Sequence, residues 1–171
     1  MNRTILLAGL VAAATAVQAQ QVEKRDVHIA VGGKSALYYL PLVITERLNY
    51  FKDEGLNVRI SDFAGGTRSL EAVVGGSADV VAGAYEHTIN MQARKQNFQA
   101  FVLMGAAPQI SVGISSKLAE KYKSPKDLKG LKVGVSAPGS STNMVINYVL
   151  AQGGLKPTDV AIIGVGQGGT V

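Results

Sequence analysis

The sequence predicts an α/β chain of two similar lobes, each a mostly parallel sheet covered by helices. Three observations predict it. Short β-prone runs alternate with helix-like stretches along the chain after residue 20. The second half repeats the order of the first: VHIAVGGKS…EGLNVRISDFAGG is echoed by LKVGVSAPGSS…GGLKPTDVAIIGVGQGG, each running strand, Gly/Ser loop, helix, Gly-Leu, strand, glycine-rich loop. The alternation lapses at GAAPQ, residues 105–109, which places a crossing between lobes there.

The elements follow in order. Residues 1–19 stand apart: Asn2-Arg3 is a short basic start, residues 5–17 are apolar, and Val17-Gln18-Ala19 suits a cut before Gln20. This pattern reads as a secretory leader, because the apolar run is shorter than the roughly 20 residues a spanning helix needs. Residues 27–31 are the first strand. Residues 40–53 read as one helix, with Leu40, Ile44, Leu48 and Phe51 on one stripe, Pro41 in the first turn and Gly55 at the stop. Residues 56–63 alternate like a strand, 67–74 form a short helix ended by Gly75-Gly76, 80–84 a buried strand, 88–96 a helix and 101–104 a further strand.

Beyond the crossing, residues 110–115 resume as a strand. Ser124-Pro125-Lys126-Asp127 places an N-cap, a proline and an acid where one helical turn opens, and Gly130 ends it. Residues 131–136 are a strand, 143–152 a helix with Val145, Ile146, Val149 and Leu150 on one face, and 160–164 a strand. The expected division is a leader at 1–19, a first lobe at 20–105 and a partial second lobe at 106–171. The second lobe has about three strands, fewer than a usual sheet. A C-terminally truncated stretch of a longer protein is therefore expected, lacking a returning segment for the first lobe as well.

Composition narrows the function. There is no cysteine. A disulfide-stapled secreted fold, a zinc–cysteine site, a cysteine nucleophile and a lipidated cysteine are all excluded. The net charge is +5, and +4 once Arg3 is removed with the leader. The lysines of residues 117–132 carry no aromatic ladder and read as solvated surface, so no nucleic-acid partner is expected. Two histidines without a spacing motif predict no metal site.

Two glycine motifs are tempting. Gly33-Lys34-Ser35 ends like a P-loop, but the first glycine would have to stand at position 28, which is His28 in the predicted strand. Gly164-x-Gly166-x-x-Gly169 matches a dinucleotide fingerprint, yet no chain follows for its helix or its acidic residue. No cofactor is expected.

Position says more. In open α/β sheets ligands sit beyond the carboxyl ends of the strands. The loops there are residues 32–39, 64–67, 85–87, 137–143 and 164–169. Their glycines let backbone N–H groups approach a ligand, and their hydroxyls and helix N-termini suit an anionic group. Ser35, Thr67, Ser140, Ser141 and Thr142 are candidate contacts; ordinary N-capping wants the same residue types. Lys34 reads as a surface lysine or an anion's counter-charge. Tyr38, Tyr39 and Tyr85 are candidate pocket walls or core. Glu86-His87 is a candidate acid–base pair, disfavoured if that segment is extended.

Four stretches carry a resemblance: YYLPLVITERLNYFKDEGLNV, AGGTRSLEAVVGGSADVVAGAYE, SPKDLKGLKVGVSAPGSSTN and GVGQGG. With their order they cover most of residues 27–169. The sequence resembles the substrate-binding proteins of bacterial ABC importers of the nitrate/sulfonate/taurine type, which include relatives that bind thiamine-pyrimidine precursors. The resemblance implies a two-lobed periplasmic-binding-protein (type II) architecture, with the second lobe incomplete here. It implies a monomer that closes on a small anionic or zwitterionic solute and delivers it to an ABC permease in the inner membrane. It places the ligand among Ser35, Ala36, Tyr38, Gly66, Thr67, Tyr85, Glu86, Ser140, Ser141 and Thr142. Glu86 does not fit a simple anion pocket; a carboxylate there selects an amine or faces solvent. The alternatives are a pyrimidine-precursor synthase-like enzyme, whose cysteine-rich motif is missing here, and a sensory module not coupled to transport.

Overall fold

The computed structural model describes residues 22–107 and 109–168. The leader expected at 1–19 and Gly169 of the dinucleotide-like motif lie outside them. In the first sheet β1 (Asp26–Gly32) runs between β2 (Asn57–Phe63) and β3 (Val80–Ala82), in the order β2-β1-β3. The second pairs β4 (Lys132–Val135) with β5 (Ala161–Gly164). Every pairing is parallel. Asp26 lies opposite Asn57 and Gly32 opposite Phe63, Ile29 lies opposite Val80, and Lys132 lies opposite Ala161. Parallel order has a direct consequence: within each sheet all carboxyl ends open at the same edge, and the connecting loops cluster there.

The helices are α1 (Leu40–Arg47), α2 (Tyr50–Asp53), α3 (Gly66–Val74), α4 (Glu86–Ala93), α5 (Ser116–Ala119) and α6 (Ser141–Gln152), with 3-10 turns at Leu37–Tyr39, Pro125–Leu128 and Pro157–Asp159. The expected turn at Ser124-Pro125 forms. Asp127 Oδ2 accepts the backbone N–H groups of Lys123 (2.8 Å) and Ser124 (2.7 Å), and these bonds hold its carboxyl below the usual range.

Side chains alternate across β1 as a strand requires. Ile29 and Val31 face one way and pack with Tyr39, Leu42 and Ala82. Ala30 faces the other way and meets Ala72 and Ala78, small residues that bring α3 close to the sheet. The second core joins Leu128, Val135, Ile146 and Leu150, with Val149 packed against it. Leu150 is fully buried and stabilises this lobe by about 2 kcal/mol through burial alone.

The structure departs from the sequence reading in two places. The helix expected over 40–53 is broken in two, because Asn49 takes a left-handed conformation (φ 61°). Three residues of its expected stripe face outward, Leu40, Ile44 and Leu48 being 48%, 43% and 53% exposed, while the fourth, Phe51, packs against the first core and Tyr39 and Leu42 are buried in it. Periodicity fixes which residues share a face, and here the sheet lies against the neighbouring one. The strands expected at 101–104 and 110–115 do not form among the described residues. A strand needs a ladder partner, and neither run has one. Phe101, Val102 and Leu103 are 77%, 66% and 77% exposed, although Met104 and Ile114 still pack against their respective cores.

Beside the outer edge of β3 lies a trough of about 350 Å³ whose walls include Ile29, Leu42, Phe51, Val81, Phe98 and Val102. Its walls are almost wholly apolar, so it reads as a gap in the first core at the open sheet edge and not as a polar ligand site. No helix among the described residues is long and apolar enough to cross a membrane.

Candidate functional site

The first sheet ends in closely nested backbone. A Cβ on Gly32 would lie 2.3 Å from the backbone nitrogen of Gly66, so the end of β1 and the start of α3 meet with no room for a side chain. A Cβ on Gly66 would lie 2.8 Å from Nε2 of His87, which joins α4 to the same cluster. Gly33 (φ +92°) then turns the chain, and its N–H and that of Lys34 both donate to Oδ1 of Asp62, at 3.0 and 2.8 Å. The Lys34 ammonium sits 2.5 Å from a Glu46 carboxylate oxygen. The P-loop-like turn therefore holds the protein's own carboxylate, and its lysine is paired.

The second sheet ends differently. The hydroxyls of Ser136, Ser140 and Thr142 form a triangle with sides of 3.0, 2.9 and 2.8 Å, and the Ser136 N–H donates to Thr142 Oγ1 at 2.9 Å. Ser136 and Ser140 are buried. Asn143 Oδ1 accepts the Gly139 N–H at 2.8 Å and fixes the turn ahead of α6.

The two sets of loops meet. Thr67 Oγ1 donates to the Pro138 carbonyl at 3.1 Å, and Gln167 Nε2 donates to the Tyr38 hydroxyl at 2.9 Å. A Cβ on Gly65 would lie 3.1 Å from that of Ala137, and one on Gly33 would strike the Gln167 side chain. Loops 32–39, 64–67, 137–143 and 164–168 thus meet at a single junction. Of the expected contacts, Tyr38, Gly66 and Thr67 lie at this junction. Ser140 and Thr142 sit in the hydroxyl triangle, and Ser141 opens α6 beside it, half-buried. Ala36 packs on the first core. Ser35 is exposed, and Tyr85 stands at the rim, 68% exposed.

Glu86 and His87 open α4 and are not extended, and no hydrogen bond joins them. The His87 ring is buried against Gly66 and Gly83, and burial holds its pKa below the ordinary value despite the nearby Glu86 charge. The Glu86 carboxylate acts on the tyrosines as well. Burial raises the pKa of Tyr38 and Tyr39, and the Glu86 charge adds to both shifts; the Gln167 bond works against the rise at Tyr38. The two tyrosine rings meet edge to face, 4.5 Å between centroids. Among the described residues no group of three or more His, Asp or Glu side chains is arranged to hold a metal ion.

Sequence reasoning missed Gln167, Ser136 and Asp62. Gln167 was detectable as the lone long polar side chain in a glycine-rich strand-end loop, a position that attention to its glycines obscured. Ser136 read as the last residue of a strand. Asp62 gave no local signal, because its partners lie 28 and 29 residues away.

The NMT1/THI5 like family model matches residues 36–170. No curated protein sequence matches the chain significantly. A solved structure of a protein from Bordetella bronchiseptica RB50 is 62% identical, with a TM-score of 0.84 over 86% of this chain and 46% of that one. The alkanesulfonate-binding protein SsuA from Xanthomonas axonopodis pv. citri, solved bound to MOPS, is 23% identical, with a TM-score of 0.58 over 86% of this chain and 50% of that one. The chain thus spans about half the length of these structures. Its fold is the two-lobed periplasmic-binding-protein architecture of type II, with the second lobe present in part. With most of its length matched by the family model, the chain belongs to the NMT1/THI5-like family.

Proposed function

We propose that this chain is part of the solute-binding component of an ABC importer. Residues 1–19 are its export leader, cut after Ala19, and the mature protein works in the periplasm as a monomer. Residues 20–105 form the first lobe and residues 106–171 part of the second. A small anionic or zwitterionic solute, such as a sulfonate, taurine or nitrate, is held between the lobes, and the closed form docks on a permease in the inner membrane. Ligand stabilises closure only through its higher affinity for the closed state.

The observation that carries this reading is the convergence of strand-end loops from both sheets, tied by the Tyr38–Gln167 and Thr67–Pro138 hydrogen bonds. Family membership and the likeness to an alkanesulfonate-binding fold support it. The proposed contacts are Ser35, Ala36, Tyr38, Gly66, Thr67, Tyr85, Glu86, Ser140, Ser141 and Thr142. The start of α6 suits an anionic group, since a helix N-terminus offers free N–H donors and partial positive charge. The protein binds its solute and does not transform it. The lack of a hydrogen bond between Glu86 and His87 supports this, as does the absence of cysteine.

A thermal-shift and calorimetric screen of the full-length mature protein tests the reading, using alkanesulfonates, taurine, nitrate, aromatic carboxylates and pyrimidines. Saturable binding that leaves the ligand chemically unchanged is expected. Conversion of any ligand, or binding of none, overturns it.

A further inference from the structure

The buried carboxylate oxygen of Glu86 is the feature the anion-binding loops leave unexplained. Its Oε1 is shielded from solvent and accepts no hydrogen bond from the protein. None of the three ion pairs among the described residues includes Glu86; Lys34, Lys24 and Arg68 are engaged with Glu46, Asp79 and Glu71. A carboxylate oxygen removed from water without a donor costs several kcal/mol in an apolar setting. The oxygen does not face the apolar trough: Tyr85, His87 and Thr88 line that space and Glu86 does not. Parallel order puts the start of α4 at the same sheet edge as the loop that carries Tyr38, the Glu86 charge reaches Tyr38, Tyr39 and His87, and Tyr38 is the residue that reaches the second lobe through Gln167. A carboxylate on the same sheet edge as a tyrosine ring matches a cation, which gains a charge-assisted hydrogen bond and contact with that ring.

We propose that Glu86 is the specificity-determining residue of the cleft, and that with the Tyr38 ring it recognises an ammonium or other N–H-donating cationic group on the solute. This rests on the solute-binding reading above and deepens it. The solute is then a zwitterion, its acidic end at the hydroxyl-rich start of α6 and its basic end at the start of α4. A purely anionic solute would bring a second negative charge towards Glu86.

The test uses calorimetry on the full-length mature protein with two probes that differ by one amine, 2-aminoethanesulfonate and ethanesulfonate. Wild type is expected to bind the amine at least about tenfold more tightly, the scale of one charge-assisted hydrogen bond. Glu86→Gln is expected to reduce that preference to within about threefold. Equal or tighter binding of ethanesulfonate by wild type overturns the proposal, as does a preference for the amine that survives in E86Q. Should neither sulfonate bind, the sulfonate reading fails, and the comparison passes to 3-aminopropanoate and propanoate. An amine preference there that E86Q removes sustains the proposal; binding of propanoate alone, or of neither, overturns it. The wild-type preference is read independently of whether the variant folds.

Discussion

The two sheets end in turns of similar composition, GGKS after β1 and SAPGSST after β4, and the turns use their donors in opposite ways. In the first, two backbone N–H groups and a lysine are satisfied by carboxylates of the same lobe, Asp62 and Glu46. In the second, the hydroxyls satisfy one another, which fixes the shape of the turn at the start of α6. Glycine and hydroxyl content therefore marks a strand-end loop without saying whether its donors remain available to a ligand. Availability is decided by a partner distant in sequence.

The largest expected effect falls on the backbone nesting that joins the end of β1 to the start of α3. Gly32→Ala forces a Cβ into the backbone of Gly66, and a loss of about 3 kcal/mol is expected in a denaturant titration of the full-length protein. A loss within error of zero would show that these two segments are not locked together. Next comes the hydroxyl triangle. Thr142→Val removes two hydroxyl partners and strands the Ser136 N–H, so unfolding should show a loss of about 2 kcal/mol. Ser141→Ala, which leaves the triangle whole, should change stability by less than about 0.5 kcal/mol. Equal losses in these two variants would erase the distinction between a structural triangle and a free hydroxyl.

Asp62→Asn sharpens the contrast from the other side. It replaces a charged acceptor of two N–H groups by a neutral one, at a cost of about 1 kcal/mol. The freed turn should then show chemical-shift changes at the Gly33 and Lys34 amides on titration with inorganic phosphate, and the wild type should not. The smallest effect is the pH dependence from His87. Burial holds the folded imidazole below its ordinary pKa of about 6.5. The unfolded chain therefore binds more protons below that pH. The associated stability is present above about pH 6.5 and is lost as pH falls through the lower folded value. Tm should drop between pH 7 and pH 5, with a shallower drop in His87→Gln; parallel curves would show that His87 is not the group responsible.

Much of the architecture was legible because it is local. Strand and helix alternate in the composition, and the Ser124–Asp127 turn is specified within four residues. The face of α6 that holds Ile146 and Leu150 follows from its own periodicity. The outward stripe of α1 was not legible. Leu40, Ile44 and Leu48 recur correctly, but the sheet position that selects Leu42 depends on β1, several residues and one turn away. The runs at 101–104 and 110–115 failed for a related reason: β propensity describes a willing strand, and a strand exists only beside a partner. In the cleft, sequence located the loops and left open which side chains join across it. Tyr38–Gln167 spans 129 residues, a separation at which no spacing argument operates.

The open side of β3 has a further consequence. Among the described residues this strand pairs on one side only, and beyond its free side lie the apolar trough and the exposed Phe101, Val102 and Leu103. An extended segment arriving there gains a ladder of main-chain bonds and greasy contact at once, whichever molecule supplies it. Until that side is covered, copies of this region invite stacking on one another. How fast it is covered during folding then bears on yield alongside intrinsic stability.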